Sequence, residues 1–146
     1  IDRLYGKFDK SFDDYETIKP KFDLTMKVIN SIYEYLNGNI HCFSGKQYFY
    51  TLFAALVHQL YGLPVLDAPR KSEYSSEHIS EHMPCLLDRL AQFENHFERC
   101  IIDKASWYDM YVEFTEFEKL HRTRTTNKTE RFERVKFLSN YIAGDL

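Results

Sequence analysis

Residues 44–64 read S-G-K-Q-Y-F-Y-T-L-F-A-A-L-V-H-Q-L-Y-G-L-P, and this stretch decides the fold. Ser44, with Gln47 three residues later, is the sequence of a capping box, which marks a helix start. Gly62 can take the left-handed conformation that ends helices, and the proline two residues later forbids continuation. Between these ends nearly every side chain is apolar, and a helix that is apolar all round is buried all round. Ser44–Tyr61 is therefore predicted to be the central helix of the domain.

Apolar residues that recur every three or four positions predict further helices around this one. The first is expected to open at Pro20 and to end at Asn37-Gly38. A long helix is expected within residues 77–102, and Pro84 should mark either its real start or a kink. Residues 65–76 between them are polar and contain a proline, so they are expected to form a flexible loop.

Two more helices complete the sequence pattern. Ser106 is expected to cap the fourth, whose buried stripe begins at Trp107. A second capping box, Asn127 with Glu130, opens the last helix, and Gly144 ends it. The prediction is an all-α, single-domain bundle over residues 1–146, with about five main helices around the central one. Because the chain begins at Ile1 rather than methionine, we expect it to be a fragment of a longer protein.

The charge of the chain is small overall and uneven along it. The net charge is −3, so no global field indicates nucleic acid or an acidic membrane. Residues 121–146 carry six basic and three acidic side chains, a local net charge of +3, which leaves −6 for the rest. A basic end on an acidic body indicates a polyanion or an acidic partner.

The three cysteines, Cys42, Cys85 and Cys100, are odd in number and form no CxxC pair. They lie in or near apolar helical patterns, which favours reduced, buried thiols and a cytoplasmic location over a disulfide scaffold. No signal peptide and no apolar run long enough for a membrane span is present in the sequence.

Histidines attract attention in two places, one on the long helix and one on the central helix. His78 and His82, at i and i+4 with Cys85 three further on, could present metal ligands on one face, but no second ligand pair completes a shell. His58, alone on the apolar central helix, is expected to be a hydrogen-bonded core residue.

Arg89 and His96 form an arginine-x6-histidine spacing that is loosely similar to the active motif of HEPN ribonucleases, which are helical proteins of about this size. The resemblance implies an acid/base and phosphate-stabilising pair, with two copies facing each other across a dimer. Leu90 stands where those proteins usually carry a polar residue. The alternative interpretation is a solvent-facing arginine and histidine with no shared role.

Residues 121–136 combine cations and hydroxyl groups just before a helix N-terminus, which is the chemistry of an anion site. The other interpretation is a solvated helix face that carries a Glu130–Arg134 pair. The candidate nucleic-acid or phosphate contacts are Arg122, Arg124, Thr125, Thr126, Asn127, Lys128, Arg131 and Arg134.

Three stretches together suggest a family: residues 22–36, F-S-G-K-Q-Y-F-Y-T-L-F-A-A-L-V-H at 43–58, and R-T-R-T-T-N-K-T-E-R-F-E-R-V-K-F-L at 122–138. They resemble the helical region of the GmrSD-type restriction endonuclease N-terminal family. That family's F-Y-x-L-F helix corresponds to Phe49–Phe53, and its late T-T-x-K-x-x-R stretch to Thr125–Arg131. Its proteins join a ParB-like NTPase domain to a helical region, and many restrict foreign or modified DNA.

The acidic-glycine-glutamine signature of that NTPase domain does not occur in this chain, nor does a nuclease. The resemblance thus implies a non-catalytic helical domain of a prokaryotic DNA-targeting defence protein, with no cofactor of its own. It would bind DNA, or an upstream NTPase domain or partner protein, through the basic late segment. The alternatives are a HEPN-like ribonuclease and a protein-interaction module, the latter with an exposed aromatic patch on the Trp107–Phe117 helix or near residues 1–15. A homodimer fits either.

Overall fold

The computed structural model describes residues 15–122 and 128–144, and within these ranges the fold is helical with no β-strand. The α-helices are α1 Tyr15–Leu36, α2 Lys46–Tyr61, α3 Ile79–Phe97, α4 Tyr111–Arg122 and α5 Lys128–Ala143. A 3-10 turn at Ser72–Tyr74 precedes α3, and a π-helical turn at Glu98–Ile102 extends it. The predicted all-α bundle of five main helices is confirmed.

Helix α2 is the centre of the bundle, as predicted. Its ten residues from Thr51 to Leu60 are all buried. It packs against α1 and α5, and the ring of Tyr48 near its start contacts Phe97 and Phe117. Gly62 ends the helix with a φ of 83°, the left-handed conformation that only glycine adopts without strain.

The start of α2 differs from the prediction, because no capping box forms. The N-cap residue is Gly45, and no side chain caps the helix. The Ser44 hydroxyl instead lies 3.5 Å from the carbonyl of His41. The capping-box interpretation of Ser44 and Gln47 was therefore wrong, and the chain entering α2 is held by a different group.

That group is the carboxylate of Glu94, near the C-terminal end of α3. It accepts backbone N–H groups from His41 at 2.8 Å, Cys42 at 2.7 Å and Phe43 at 3.0 Å. Glu94 is only 2% exposed, so these three bonds replace the hydrogen bonds to water that the carboxylate loses on burial. The contact joins α3 to the segment that leads into α2.

Neither proline marks the start of its helix. Pro20 lies inside α1, which begins at Tyr15, and Pro84 lies inside α3, which begins at Ile79. A proline removes one backbone donor and crowds the carbonyl four residues earlier. Because both prolines are in the sixth position of their helices, the lost bonds lie near the helix starts and the remaining turns are unaffected.

The connection over residues 65–76 is anchored to α2 at several points. Leu66 and Tyr74 are buried. The Gln59 side chain donates to the carbonyl of Pro69 at 3.0 Å and accepts the N–H of Lys71 at 2.9 Å. The polar composition of this segment correctly indicated a loop, but it did not reveal the two apolar anchors.

His58 fixes the first part of the same connection, as a buried histidine satisfied by neighbours. Its Nδ1 accepts the N–H of Leu63 at 3.0 Å. That leaves Nε2–H to donate to the carbonyl of Ala68 at 2.8 Å. Burial lowers the pKa of His58, which favours this neutral form. The prediction of a core histidine is confirmed.

The cysteine prediction is only partly confirmed. Cys42 and Cys100 are buried free thiols, whereas Cys85 is free but exposed, so its place on an apolar helical pattern was misleading. Burial raises the pKa of the Cys100 thiol to about 11. Among the described helices, none combines the length and the apolar character required to cross a bilayer.

The contact of Glu94 predicts a large effect of a very small substitution. Glu94→Gln replaces one acceptor oxygen by an amide group that cannot accept a backbone N–H. We expect the free energy of unfolding to fall by about 2–4 kcal/mol, the cost of leaving buried donors unsatisfied. Urea denaturation measures the change. The matched control is Glu116→Gln on the exposed side of α4, with an expected change within about 0.5 kcal/mol. Equal stabilities would contradict the role of Glu94.

Candidate functional site

The described part of the basic late segment does not form a continuous cationic surface. Arg122, at the end of α4, is exposed and pairs with Glu118 at 2.9 Å. Lys128, at the start of α5, lies over the ring of Phe132 at 5.4 Å, and Arg131 is half-buried. Four of the predicted contacts lie outside the described residues: Arg124, Thr125, Thr126 and Asn127.

Arg134 is an interior residue, which corrects its assignment as a nucleic-acid contact. It is 5% exposed, and its Nε donates to the carbonyl of Leu120 at 2.9 Å. Its Nη2 has no hydrogen-bond partner within the described ranges. Burial lowers the pKa of this guanidinium. The side chain therefore caps the C-terminal end of α4 and joins α4 to α5, rather than facing solvent as the Glu130–Arg134 interpretation required.

His121, the penultimate residue of α4, is buried against the central helix. Its Nδ1–H donates to the carbonyl of Phe117 at 2.8 Å, so Nε2 accepts the hydroxyl of Thr51 at 2.9 Å. The imidazole also stacks on the ring of Tyr48 at 3.9 Å between centroids. Each of these contacts suits the neutral imidazole. His121 was not predicted to be a site residue, and its contacts give it a structural role.

Arg89 and His96, the pair with the ribonuclease-like spacing, both contact Tyr141 of α5. The guanidinium carbon of Arg89 lies 4.0 Å from the ring centroid of Tyr141, and Arg89 Nε donates to the Tyr141 carbonyl at 2.8 Å. The ring of His96 lies 5.9 Å from the ring of Tyr141, edge to face. The two side chains thus share a neighbour, although they are two turns apart on α3.

His96 has a second partner that the sequence did not indicate. Its Nδ1 lies 2.7 Å from the hydroxyl of Tyr108, in the turn before α4. Burial first, and then the nearby charge of Arg89, lower the pKa of His96. The imidazole is therefore neutral at neutral pH and fixed in orientation, while the side chain stays partly accessible.

The predicted helix start at Ser106 does not form, and Trp107 is not a core residue. The π-helical turn Glu98–Ile102 and the left-handed Lys104, with a φ of 53°, change the direction of the chain before α4. Trp107 is 78% exposed, and it is flanked in sequence by Ile102 at 57% and Val112 at 66%. We call Ile102, Trp107 and Val112 the exposed apolar turn.

The weak metal alternative gains no support from the geometry. His78 and Cys85 are exposed, and His82 is half-buried. Within the two described ranges, no group of three or more histidine, cysteine, aspartate or glutamate side chains converges on a point. His78 is the N-cap residue of α3 and His82 lies in its first turn, but within the described ranges nothing closes a coordination shell around them.

Comparisons with family models, with curated proteins and with solved structures return no match to this chain.

The environment of His121 predicts a specific pH dependence of stability. Burial lowers its pKa from 6.5 to about 4. The unfolded chain therefore takes up this proton near pH 6.5, and the folded protein only near pH 4. The stabilising contribution is complete above pH 6.5 and is lost as the pH falls towards 4, by about 3 kcal/mol.

His121→Gln removes this titration and should flatten the decline in unfolding free energy between about pH 7 and about pH 4. Urea titrations of both proteins at each pH measure the difference, in which the shared carboxylate contributions cancel. The same substitution at the exposed His78 is the control. A decline as steep in His121→Gln as in the wild type would show that His121 is not the group responsible.

Proposed function

We propose that this chain is a non-catalytic helical domain of a prokaryotic DNA-targeting defence protein, and that it docks onto a partner protein or domain. The observation that carries the docking half is the exposed apolar turn. Trp107 presents 78% of its surface to solvent, whereas most other aromatic side chains among the described residues are buried or half-buried. Exposed tryptophans are typical of protein interfaces.

The defence setting rests on the resemblance to the GmrSD-type family. Proteins of that family place a helical region next to an NTPase domain, and a helical region of this kind needs a surface for that neighbour. The exposed apolar turn has the composition for such a surface, with an aromatic anchor and two aliphatic side chains. Trp107 lies in the irregular connection between the π-helical turn and α4, rather than in the packed stripe of a helix, and is therefore open for contact.

The nucleic-acid half of the proposal rests on fewer residues than the sequence suggested. Lys128 and Arg131 are the basic residues at the start of α5, where the helix dipole favours an anion. Arg134 is excluded by its burial. A DNA contact at this point would be electrostatic and would weaken steeply with salt.

The docking proposal predicts that Trp107→Ser abolishes partner binding without affecting the fold. The domain serves as bait in a lysate of its source organism, beside Trp107→Ser and the control Tyr35→Ser, another exposed aromatic. We expect one protein to be retained by wild type and control but lost with Trp107→Ser. The free energy of unfolding of Trp107→Ser should change by less than about 0.5 kcal/mol.

The sole tryptophan of the chain also reports docking directly. When the retained protein is purified and added, the emission of Trp107 should shift to shorter wavelength as the ring leaves water. Titration of the domain with duplex DNA at low salt tests the nucleic-acid half of the proposal. The Arg131→Ala variant should bind the DNA more weakly than the wild type. Identical capture by wild type and Trp107→Ser would refute the docking surface, and an absence of DNA affinity would refute the nucleic-acid half.

A HEPN-like ribonuclease is the second candidate, and one observation favours it. Arg89 and His96 both contact Tyr141, so the two residues of the motif belong to one local site. A neutral, oriented imidazole beside a guanidinium is suited to proton transfer at a phosphodiester.

This candidate predicts that the purified chain cleaves RNA and that His96→Ala reduces the rate by about 10²- to 10⁴-fold, the usual contribution of general acid–base catalysis. Cleavage of a fluorescent single-stranded RNA measures it, and His82→Ala on the same helix is the matched control. If any cleavage persists unchanged in His96→Ala, it comes from a contaminant, and the candidate fails.

A further inference from the structure

The connection that leads into α4 is anchored to the bundle on its inner side. Ala105 and Phe114 are buried, and the Tyr108 hydroxyl lies 2.7 Å from Nδ1 of His96. The N–H of Tyr111 donates to the carbonyl of Tyr108 at 3.0 Å, so the turn continues directly into the helix. The exposed side chains of this stretch are therefore presented from a fixed backbone.

Carboxylates occupy the outer side of the same stretch. Exposed residues recur there at i, i+3, i+4 and i+7: Asp109, Val112, Glu113 and Glu116. That spacing places them on one side of α4 and of the turn before it. We call the three carboxylates the acidic face, and Val112 joins it to the exposed apolar turn. The first basic side chain on this side is Lys119, two turns beyond Val112.

The negative charge of this region is largely uncompensated. Residues 102–116 carry four acidic side chains and one basic side chain, Lys104. Asp103 pairs with Arg99 at 3.8 Å. Within the described ranges, no residue of the acidic face forms a salt bridge. Because like charges repel, DNA and acidic lipid headgroups are disfavoured here, and a cationic partner is favoured.

Trp107 narrows the kind of cation. Its ring is 78% exposed and meets the ring of Tyr108 edge to face at 6.0 Å between centroids. Tryptophan is the aromatic side chain that attracts cations most strongly. Arginine stacks on such a ring and also forms forked hydrogen bonds with carboxylates, whereas lysine is a compact point charge. The acidic face extends along about 10 Å of helix axis, which suits an extended segment of chain rather than a small ion.

We propose that the exposed apolar turn and the acidic face together bind an arginine-rich segment of a partner protein. One arginine stacks on Trp107, an aliphatic side chain packs on Val112, and further cations pair with the carboxylates. This assignment rests on the docking half of the proposed function and adds to it the charge of the partner. The partner surface is basic, and this side of the domain does not bind DNA.

Peptide titration of the intact chain tests the assignment. The probes are short synthetic peptides of equal length, in which leucine and glycine are combined with arginine, lysine or glutamate. The readout is the emission of Trp107, the sole tryptophan of the chain. We expect a saturable change with the arginine peptide, a weaker response to lysine and none to glutamate. Added sodium chloride should weaken the binding of the arginine peptide.

Neutral variants of the same shape test the carboxylates. Asp109→Asn, Glu113→Gln and Glu116→Gln, combined in one protein, remove three charges from the acidic face. Affinity for the arginine peptide should fall about tenfold, as expected for three exposed charge pairs. The matched control removes three exposed carboxylates elsewhere: Glu34→Gln, Glu77→Gln and Glu81→Gln. It should bind the peptide as the wild type does.

Equal affinity of the two triple variants, or equal responses to the arginine and glutamate peptides, would overturn the proposal. If a protein captured through Trp107 binds the acidic-face variant as tightly as the wild type, the docking surface stands and its basic occupant is refuted. Sedimentation of the domain alone identifies the remaining occupant. Self-association that the acidic-face variant loses would assign the surface to the basic end of a second copy and refute the partner segment.

Discussion

Three backbone N–H groups on one buried carboxylate hold the two halves of this bundle together. Glu94 lies near the C-terminal end of α3, and its two oxygens accept the backbone N–H groups of His41, Cys42 and Phe43, just before α2. A buried carboxylate is unfavourable unless its oxygens are hydrogen-bonded. The three bonds engage both oxygens, and they also do what the absent capping box would have done, by fixing where the central helix begins. The aromatic pair Phe43 and Phe93 packs beside the same junction.

The buried polar residues of α2 act in the same way along the helix. Thr51, His58 and Gln59 are buried on a helix surrounded by apolar contacts, and each bonds a segment distant in sequence. Gln59 and His58 hold the connection to α3, while Thr51 binds His121 of α4. Hydrophobic burial gives the helix its central place, because it has no polar face to turn outwards. The buried polar side chains determine which loop and which helix end lie against it.

What the sequence could reveal follows from how local each determinant is. The central place of α2, the five helices and the Gly62 and Gly144 ends depend on residues within a few turns, and they were predicted correctly. The burial of Arg134 and the role of Glu94 depend on partners 14 and 51 to 53 residues away. A charged side chain in a helical stripe gives no local sign of such a partner. The Arg89–His96 spacing could be read from the sequence. Its contacts with Tyr108 and Tyr141 could not, because nothing local distinguishes these two tyrosines from the many other aromatic residues.

One backbone irregularity connects the two surfaces that could carry function. After α3 the chain widens into the π-helical turn Glu98–Ile102, and Lys104 then takes a left-handed conformation. The helix that Ser106 was predicted to cap would have placed Trp107 in its buried stripe. The turn instead sends Trp107 into solvent and directs its neighbour Tyr108 back onto His96. Of these two adjacent residues, Trp107 therefore faces solvent and Tyr108 contacts His96. A partner that covers Trp107 would also affect the segment that orients His96. Docking at the exposed apolar turn is, for this reason, expected to change the orientation of His96.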